Sequence, residues 1–599
     1  MQWILCFAVA LIISVAGVVQ LFLPRTSHLV YAGTSARFRR MAASVFAAAT
    51  VLFLPIYGEI FAGEPLRWLK VLLLSVHNTI RLFIVDGEFT IVTDHLTADN
   101  GWIFTPYSVL FAALFVAAPL LTFGVVLSFF KNVSAYRRYD CGYFRDAYIF
   151  SELNERSLAL AESLFANAPR RMLVFTDVFE KNEETSYELL KRARKIGAIV
   201  FRDDIRVVRL KFHSPHRKLC FFTIGEDETE NMEQAIRLIE KYRTLDNTHL
   251  FAFSTSADSE LLLTDIDKGR MKVRRVEEVR ALINRILYED GEKIFAGAQP
   301  AADGTEKQIS ALVIGLGQYG THMLKSLSWF CQMDGYRIDI HAFDRDPLAY
   351  DKLYAQCPEL LSDAYNGVYL PGEAQYRIDV RSGIDVWTRQ FADAVAQLTD
   401  ATYVLVALGS DQENVRAAVY LRMLFERMHI HPVIQTIVYS AVEKSALCGI
   451  CNFRGQPYDI RFSGDTKTSY SEKTILDSAL EADALARHLK WDDDEESFWR
   501  YEYNYRSSVA TAIHMRARIA CGIPGADKKI EDRTPAEAEA MDRLEHRRWN
   551  AYMRSEGYIY SGSQDKASRN DLAKMHHDLV DFLRLTEEEK RKDSRVSSV

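Results

Sequence analysis

The sequence has no long run of lysine and arginine, and its net charge of −7 is spread over mixed-sign surface. It therefore lacks the electrostatic footprint of a nucleic-acid binder. Cysteine is sparse, with eight scattered through 599 residues, mostly inside apolar runs, which suits a reducing compartment. The one close pair, Cys448 and Cys451, has no second pair to complete a four-ligand zinc site, so both read as ordinary thiols. No nucleophile motif, metal motif or paired-carboxylate signature stands out. No catalytic residue and no metal ligand is assigned, and the chain does not read as an enzyme. The acidic run Asp492–Glu496 reads as a solvated turn, and His576-His577-Asp578 as a structural cluster without a catalytic partner.

Long hydrophobic runs, by contrast, are present. Three apolar stretches of membrane-spanning length lie at about residues 3–23, 41–61 and 103–130, within a transmembrane domain of residues 1–134. The first lacks a basic leading region and a clear small-residue cleavage site, so it reads as a retained anchor. Arg25, Arg37, Arg39 and Arg40 lie between the first two runs, and Lys131, Arg137 and Arg138 follow the third. The positive-inside rule then puts the N-terminus outside and everything after the third span in the cytoplasm. The stretch LRWLKVLLLSVHNTIRLFIV is apolar but carries Arg67, Lys70 and Arg81. It reads as an interfacial amphipathic helix or as a re-entrant element packed among the spans. No TVGYG-like filter sequence appears, so the sequence does not identify a potassium channel.

From Asp146 onward, short apolar strands alternate with helical periodicity, the pattern of a doubly wound parallel sheet. The pattern occurs twice, over residues 145–290 and 305–460. The clearest internal match sets FFTIGEDETENMEQAIRLI against VLVALGSDQENVRAAVYLRM. Gly225, Asp227 and Asn231 fall against Gly409, Asp411 and Asn414, one residue out of step.

The second copy opens with an apolar run, Ala311 to Ile314, then Gly315-Leu316-Gly317-Gln318-Tyr319-Gly320, a helix-forming stretch, and a second strand closed by Asp344. Strand, glycine turn, helix, strand and acid is the layout of a dinucleotide-binding βαβ unit. The first glycine permits the turn, the second lets backbone approach a pyrophosphate, and the third lets the helix pack on the strand. Asp344 can accept from ribose hydroxyls, with Asp346 as a fallback that can equally turn the chain before Pro347. The candidate cofactor-binding residues are Gly315, Gly317, Gln318, Tyr319, Gly320, Asp344, Arg345, Gly409, Ser410 and Asp411. Asp411 equally suits a helix cap. An acidic ribose partner disfavours a 2′-phosphate, so the expected ligand is NAD, ADP-ribose or an adenine nucleotide.

Paired nucleotide-binding folds with a strand–Gly–x–Asp–x–Asn–helix turn resemble the tandem RCK-type regulatory domains of prokaryotic potassium channels and transporters. The first copy departs from that pattern, with Ser151-Glu152-Leu153-Asn154 where the glycine loop would stand. It reads as a degenerate, mainly structural copy in which Asp177 is a weak candidate contact. The resemblance implies a homo-oligomer of four or more chains in a bacterial inner membrane. A helical connector follows over residues 461–530, with an aromatic cluster from Phe498 to Tyr505 that suits packing better than base stacking. Over residues 535–599 the E-H-x-R-W core (Glu545, His546, Arg548, Trp549), the Gly557-Tyr558 pair and the acidic, lysine-containing tail are similar to the RyR domain. Asp581 and Arg584 stand where that family usually has a Pro-aromatic-acidic turn. Glu545, Arg548 and Trp549 are the candidate ligand contacts of this part, the alternative being a helix packed by Trp549 with an ion pair at its edge.

The expected architecture is thus an α-helical membrane domain of three spans, two Rossmann-like parallel-sheet domains, and a small mainly helical RyR-like domain. The expected function is a nucleotide-responsive membrane protein, a ligand-gated channel or pore, of a kind a bacterial defence system could use. Two alternatives stand beside it: a membrane-anchored nucleotide sensor or scaffold without a pore, and an NAD-dependent oxidoreductase. The lipid bilayer and a small nucleotide are the expected partners.

Overall fold

The computed structural model describes residues 2–22, 34–84, 86, 90–95, 102–130, 132–179, 183–210, 216–301, 304–369, 375–440, 454–492 and 494–597. Cys448, Cys451, Arg25 and Lys131 lie outside these residues. The chain divides into two compact units, one built on the N-terminal helices and the other holding most of the α/β and C-terminal residues.

In the first unit, helices α1 (Gln2–Phe22), α2 (Thr34–Ile60) and α4 (Phe104–Phe130) are long and apolar enough to cross a membrane. Their contacts use small and aromatic residues. A Cβ on Gly17 of α1 would lie 2.7 Å from the Ser44 Cβ of α2, so glycine sets how closely these two helices approach. The Trp3 ring packs edge-on against Tyr107 at 5.2 Å, and the Tyr107 hydroxyl donates to the Leu52 carbonyl.

Between them lies α3 (Arg67–Phe83), formed by the stretch that carries Arg67, Lys70 and Arg81. Its polar residues Ser75, Asn78 and Thr79 are buried against the other helices, with Asn78 donating to Tyr57 and Thr50 donating to Thr79. Its exposed residues are Trp68, Leu69, Leu72, Leu73, His77 and Ile80. A helix lying on a bilayer surface turns its polar face to water. This one buries Ser75, Asn78 and Thr79 against its neighbours, while His77 lies among the exposed apolar residues.

The six-stranded sheet of the first α/β repeat runs β3-β2-β1-β4-β5-β6, with β1 (Ala147–Phe150), β2 (Met172–Thr176), β3 (Ile199–Phe201), β4 (Leu219–Thr223), β5 (Thr248–Phe253) and β6 (Lys272–Val276). The second sheet runs β10-β9-β8-β11-β12-β13, with a short antiparallel β7 (Gln299–Pro300) beside β8. Its parallel strands are β8 (Lys307–Ile314), β9 (Tyr336–Asp344), β10 (Tyr376–Ser382), β11 (Tyr403–Val406), β12 (Val433–Ile437) and β13 (Ile460–Ser463). Both sheets therefore have the strand order 3-2-1-4-5-6, the doubly wound arrangement that binds ligands where the order reverses. The sixth strand of the second sheet extends to Ser463, past the expected boundary at residue 460.

Two buried asparagines fix the equivalence of the repeats. Asn231 accepts from Gly225 N and donates to the Phe253 carbonyl at the end of β5. Asn414 accepts from Leu408 N and donates to the Ile437 carbonyl at the end of β12. Gly225 therefore corresponds to Leu408, Asp227 to Ser410 and Glu228 to Asp411, which accounts for the one-residue offset in the sequence match.

The C-terminal residues share the core of the second sheet. Helices α9 (Glu502–Ala520) and α10 (Pro535–Ser555) contribute Ala510, Ile513, Leu544 and Tyr552 to the same apolar cluster as Ile309, Leu324 and Trp329. The aromatic stretch before α9 is used for packing: Phe498 is fully buried, with ring contacts to Trp499 and Tyr505.

Candidate functional site

At the carboxyl ends of β8 and β11 a cleft of about 320 Å³ opens at the reversal of strand order. Gly315, Gly317, Gln318, Tyr319, Asp344, Arg345 and Gly409 line it. Gly320, Ser410 and Asp411 are not among its lining residues.

The three glycines of the turn have different physical reasons. Gly315 has φ +91°, and a Cβ there would lie 2.4 Å from the Ala407 carbonyl oxygen. A Cβ on Gly320 would lie 1.8 Å from the Gly315 carbonyl oxygen, so the helix can pack only as glycine. Gly317 is different. Its φ of −66° is open to any residue, and a Cβ there meets nothing within 4 Å among the described residues. Gly317 is the N-cap of the helix Gln318–Phe330, and no side chain among the described residues caps that helix. The first amides of a helix have no partner within it, so they and the helix dipole face the cleft as an anion-binding end.

Asp344 tightens this turn. One carboxylate oxygen accepts from Leu316 N at 2.5 Å and the other from Asp346 N at 2.7 Å. Asp346 itself accepts from Leu348 N and pairs with Lys352, which fits a role in turning the chain. Arg345 is exposed at the cleft. The opposite wall holds Asp385, Trp387, Glu413 and Tyr439, none of them anticipated from the sequence. Trp387 is 43% exposed and carries the Arg416 guanidinium 5.0 Å from its ring centre. The signal that could have found Trp387 and Tyr439 is their position just beyond β10 and β12, at the same sheet edge as the glycine turn.

Asp411 has a structural task. Its two oxygens accept from Tyr439 N and Ser440 N, each at 2.8 Å, while Ser410 caps the helix by accepting from Glu413 N. Glu228 does the same work in the first repeat, accepting from Thr255 N and Ser256 N.

In the first repeat the corresponding helix, Glu155–Asn167, is closed by its own side chains. Asn154 accepts from Ser157 N, donates to the Ile224 carbonyl, and completes a capping box with Ser157. A Cβ on Gly225 would lie 2.8 Å from a Glu152 carboxylate oxygen, so a carboxylate stands near where a phosphate would approach. Asp177 accepts from Phe179 N, the same local turn that Asp344 makes with Asp346.

The other residues singled out from the sequence lie on α10. Glu545 is buried between two buried guanidiniums, 2.5 Å from Arg518 and 2.8 Å from Arg548. Arg547, next in the helix, pairs with Asp334 at 3.0 Å. Arg518 Nε donates to His514 Nδ1, so the ring proton sits on Nε2, which faces the Gln332 carbonyl. Burial, then Arg518 and Arg548, hold His514 well below its ordinary pKa, so it adds no charge. Glu545, Arg548 and Trp549 line a second cavity, of about 1000 Å³. His576, His577 and Asp578 also lie there, with ligand-type atoms within 4.8 Å of one another. Asp578 N donates to His576 Nδ1, which places that ring's proton on Nε2 and leaves His576 without a lone pair for a metal.

A buried ion network touches both regions. Glu277 accepts from Arg275 and Arg280 and pairs with Arg506; Glu556 pairs with Arg280; and His322, on the glycine-turn helix, lies 3.9 Å from Glu277. Burial alone would raise the Glu277 carboxyl, but Arg280, Arg506 and Arg275 overcome it and hold it at about 2.

On α10, burial and then the neighbouring Asp593 carboxylate push Asp542 up to about 7. A carboxyl raised in the fold is protonated there but ionised in the unfolded chain between its ordinary pKa, near 4, and 7. Stability should therefore fall as pH rises through that window and level off above it. Asp542→Asn is expected to raise the melting temperature at pH 8 and to lose this advantage by about pH 4. Equal gains at both pH values would refute the assignment.

Fold and cleft define a chain with three candidate membrane helices and two parallel α/β sheets, the second carrying an open glycine-turn cleft. Comparison with known proteins finds no family model that matches the chain and no curated relative that matches it.

Proposed function

We propose that this protein is a nucleotide-responsive membrane protein, and that its response is the gating of an ion-conducting pore formed by the apolar helices in an oligomer of four or more chains. The observation that supports ligand binding is Gly317: the fold has no need of a glycine there, and the missing side chain keeps the uncapped helix end open. Asp344 beside that end favours a ribose with free hydroxyls over a 2′-phosphate, so NAD, ADP-ribose or an adenine nucleotide is the proposed ligand. The resemblances to RCK-type and RyR domains support sensing over hydride transfer, as does the lack of a substrate domain with a proton donor in the sequence. The arginines after the first span support a cytoplasmic location for the α/β residues. A nucleotide can move the membrane helices only by binding two arrangements of the protein with different affinity.

The test is reconstitution of the full chain into planar bilayers, with conductance recorded as NAD, ADP-ribose or ATP is added. At least one is expected to change the open fraction reproducibly. Flat traces with all three, from protein of oligomeric mass in detergent, would remove the pore and leave a membrane-anchored sensor.

A further inference from the structure

We infer that the cavity beneath α9 and α10 is a second ligand site, built for a phosphate-bearing aromatic molecule of the nucleotide class. The inference does not depend on the glycine-turn cleft holding a ligand.

Size is the first argument. At about 1000 Å³ this cavity is roughly three times the volume of the glycine-turn cleft, at the upper end of the range for small-molecule sites. Its walls come from parts of the chain far apart in sequence, including Leu261, Tyr503, Arg548, Tyr558 and His576.

Charge is the second argument. Most cations of the wall are matched: Arg569 with Asp571, Lys566 and Lys592 with Glu589, and Arg506 with Glu277 and Glu502. The His546–Asp593 pair balances itself at 3.2 Å. The cluster at Arg548 leaves a buried donor unused. Arg518, Arg547 and Arg548 pair with Glu545 and Asp334, Asp593 and Glu306 also act on them, and His514 adds no charge. Of these three guanidiniums only Arg548 lines the cavity, and its buried Nη1 has no hydrogen-bond partner among the described residues. Leaving a buried guanidinium N–H without an acceptor is costly, and an anion in the cavity would supply one. Phosphate suits guanidinium because of its charge and its paired acceptor oxygens.

Aromatic surface is the third argument. Trp549 and Tyr503 are half-buried in the wall; Tyr558 packs against Tyr503 at 6.0 Å, and the Arg569 guanidinium lies 5.2 Å from the Tyr503 ring centre. Trp549 meets His576 edge-on at 4.9 Å. A planar base can stack on such surfaces. Ring-binding and anion-binding groups thus share one cavity, as a nucleotide requires.

The experiment is equilibrium dialysis of the full-length, detergent-solubilised chain against labelled ADP, adenosine and inorganic pyrophosphate. The Gly317→Val variant is included to silence the first cleft. In that variant the site is expected to hold one equivalent of ADP per chain, with adenosine and pyrophosphate each at least tenfold weaker. Arg548→Met should weaken ADP and pyrophosphate tenfold or more. Because that change can disturb the buried cluster, Trp549→Leu provides a second reading with every charge kept. It should weaken ADP tenfold and pyrophosphate less than twofold. A Gly317→Val chain that binds none of the three probes overturns the inference. So does ADP binding that survives both Arg548→Met and Trp549→Leu. If instead the first cleft is empty, the unmutated chain binds one equivalent of ADP and Gly317→Val leaves it unchanged.

Discussion

Valine at position 317 is expected to weaken nucleotide binding at the glycine-turn cleft by a hundredfold or more, while stability changes by only about 1 kcal/mol or less. The two effects separate because of where the Cβ goes. Gly317 has an ordinary φ, and a Cβ there meets no atom of the described residues within 4 Å. It would instead fill the space over the uncapped helix end, where a pyrophosphate must come close to backbone amides. Gly320→Ala, three residues on, should do the reverse. Its Cβ would fall 1.8 Å from a backbone oxygen, so strand or helix must shift, at a cost of about 3 kcal/mol. Thermal melts and nucleotide titrations of the two variants check both statements. A Gly317→Val protein that melts normally and binds NAD, ADP-ribose and ATP as the unmutated chain does would falsify the reading of this turn as a phosphate site.

Removing Glu545 is expected to produce the largest loss of stability of any single charge. Arg518 and Arg548 lie on either side of it, and all three are buried. Glu545→Leu leaves two buried guanidiniums facing each other without their shared counter-ion, a change worth about 3–5 kcal/mol. Replacing the whole cluster, with Arg518→Met and Arg548→Met added, should recover much of that loss, because three apolar side chains need no charge balance. The measurement is urea unfolding followed by proteolysis of the C-terminal residues. If Glu545→Leu alone costs less than about 1 kcal/mol, the cluster is more solvated than its burial implies.

Several features were legible in the sequence because they are imposed locally. Apolar runs of spanning length became the helices α1, α2 and α4. The alternation of strands and helices gave two doubly wound sheets. Gly315 and Gly320 could be recognised because each sits where a Cβ would strike backbone, a constraint set within one turn of chain. Asp344 was found for the same reason: it closes the second strand of that βαβ unit and reaches back to Leu316 N.

Asp411 shows where local reasoning stops. Its residue type suits a helix cap or a ligand contact, and sequence alone aligned it with Asp227. Only the neighbouring strand decides its task, since its oxygens are taken by Tyr439 N and Ser440 N, while Asp227 caps a helix and Ser410 fills the matching place. Trp387 was missed because its approach to the glycine turn depends on the pairing of β9 with β10.

The sequence by itself determined the class of the main elements, the repeat, and the glycine turn after β8, because periodicity and steric necessity act over a few residues. The tertiary structure alone decided that α3 buries Ser75, Asn78 and Thr79, that the first repeat closes its own helix end, and that Arg518 and Arg548 share Glu545. Those outcomes depend on which distant groups become neighbours, and burial then fixes what each charge or hydrogen bond costs.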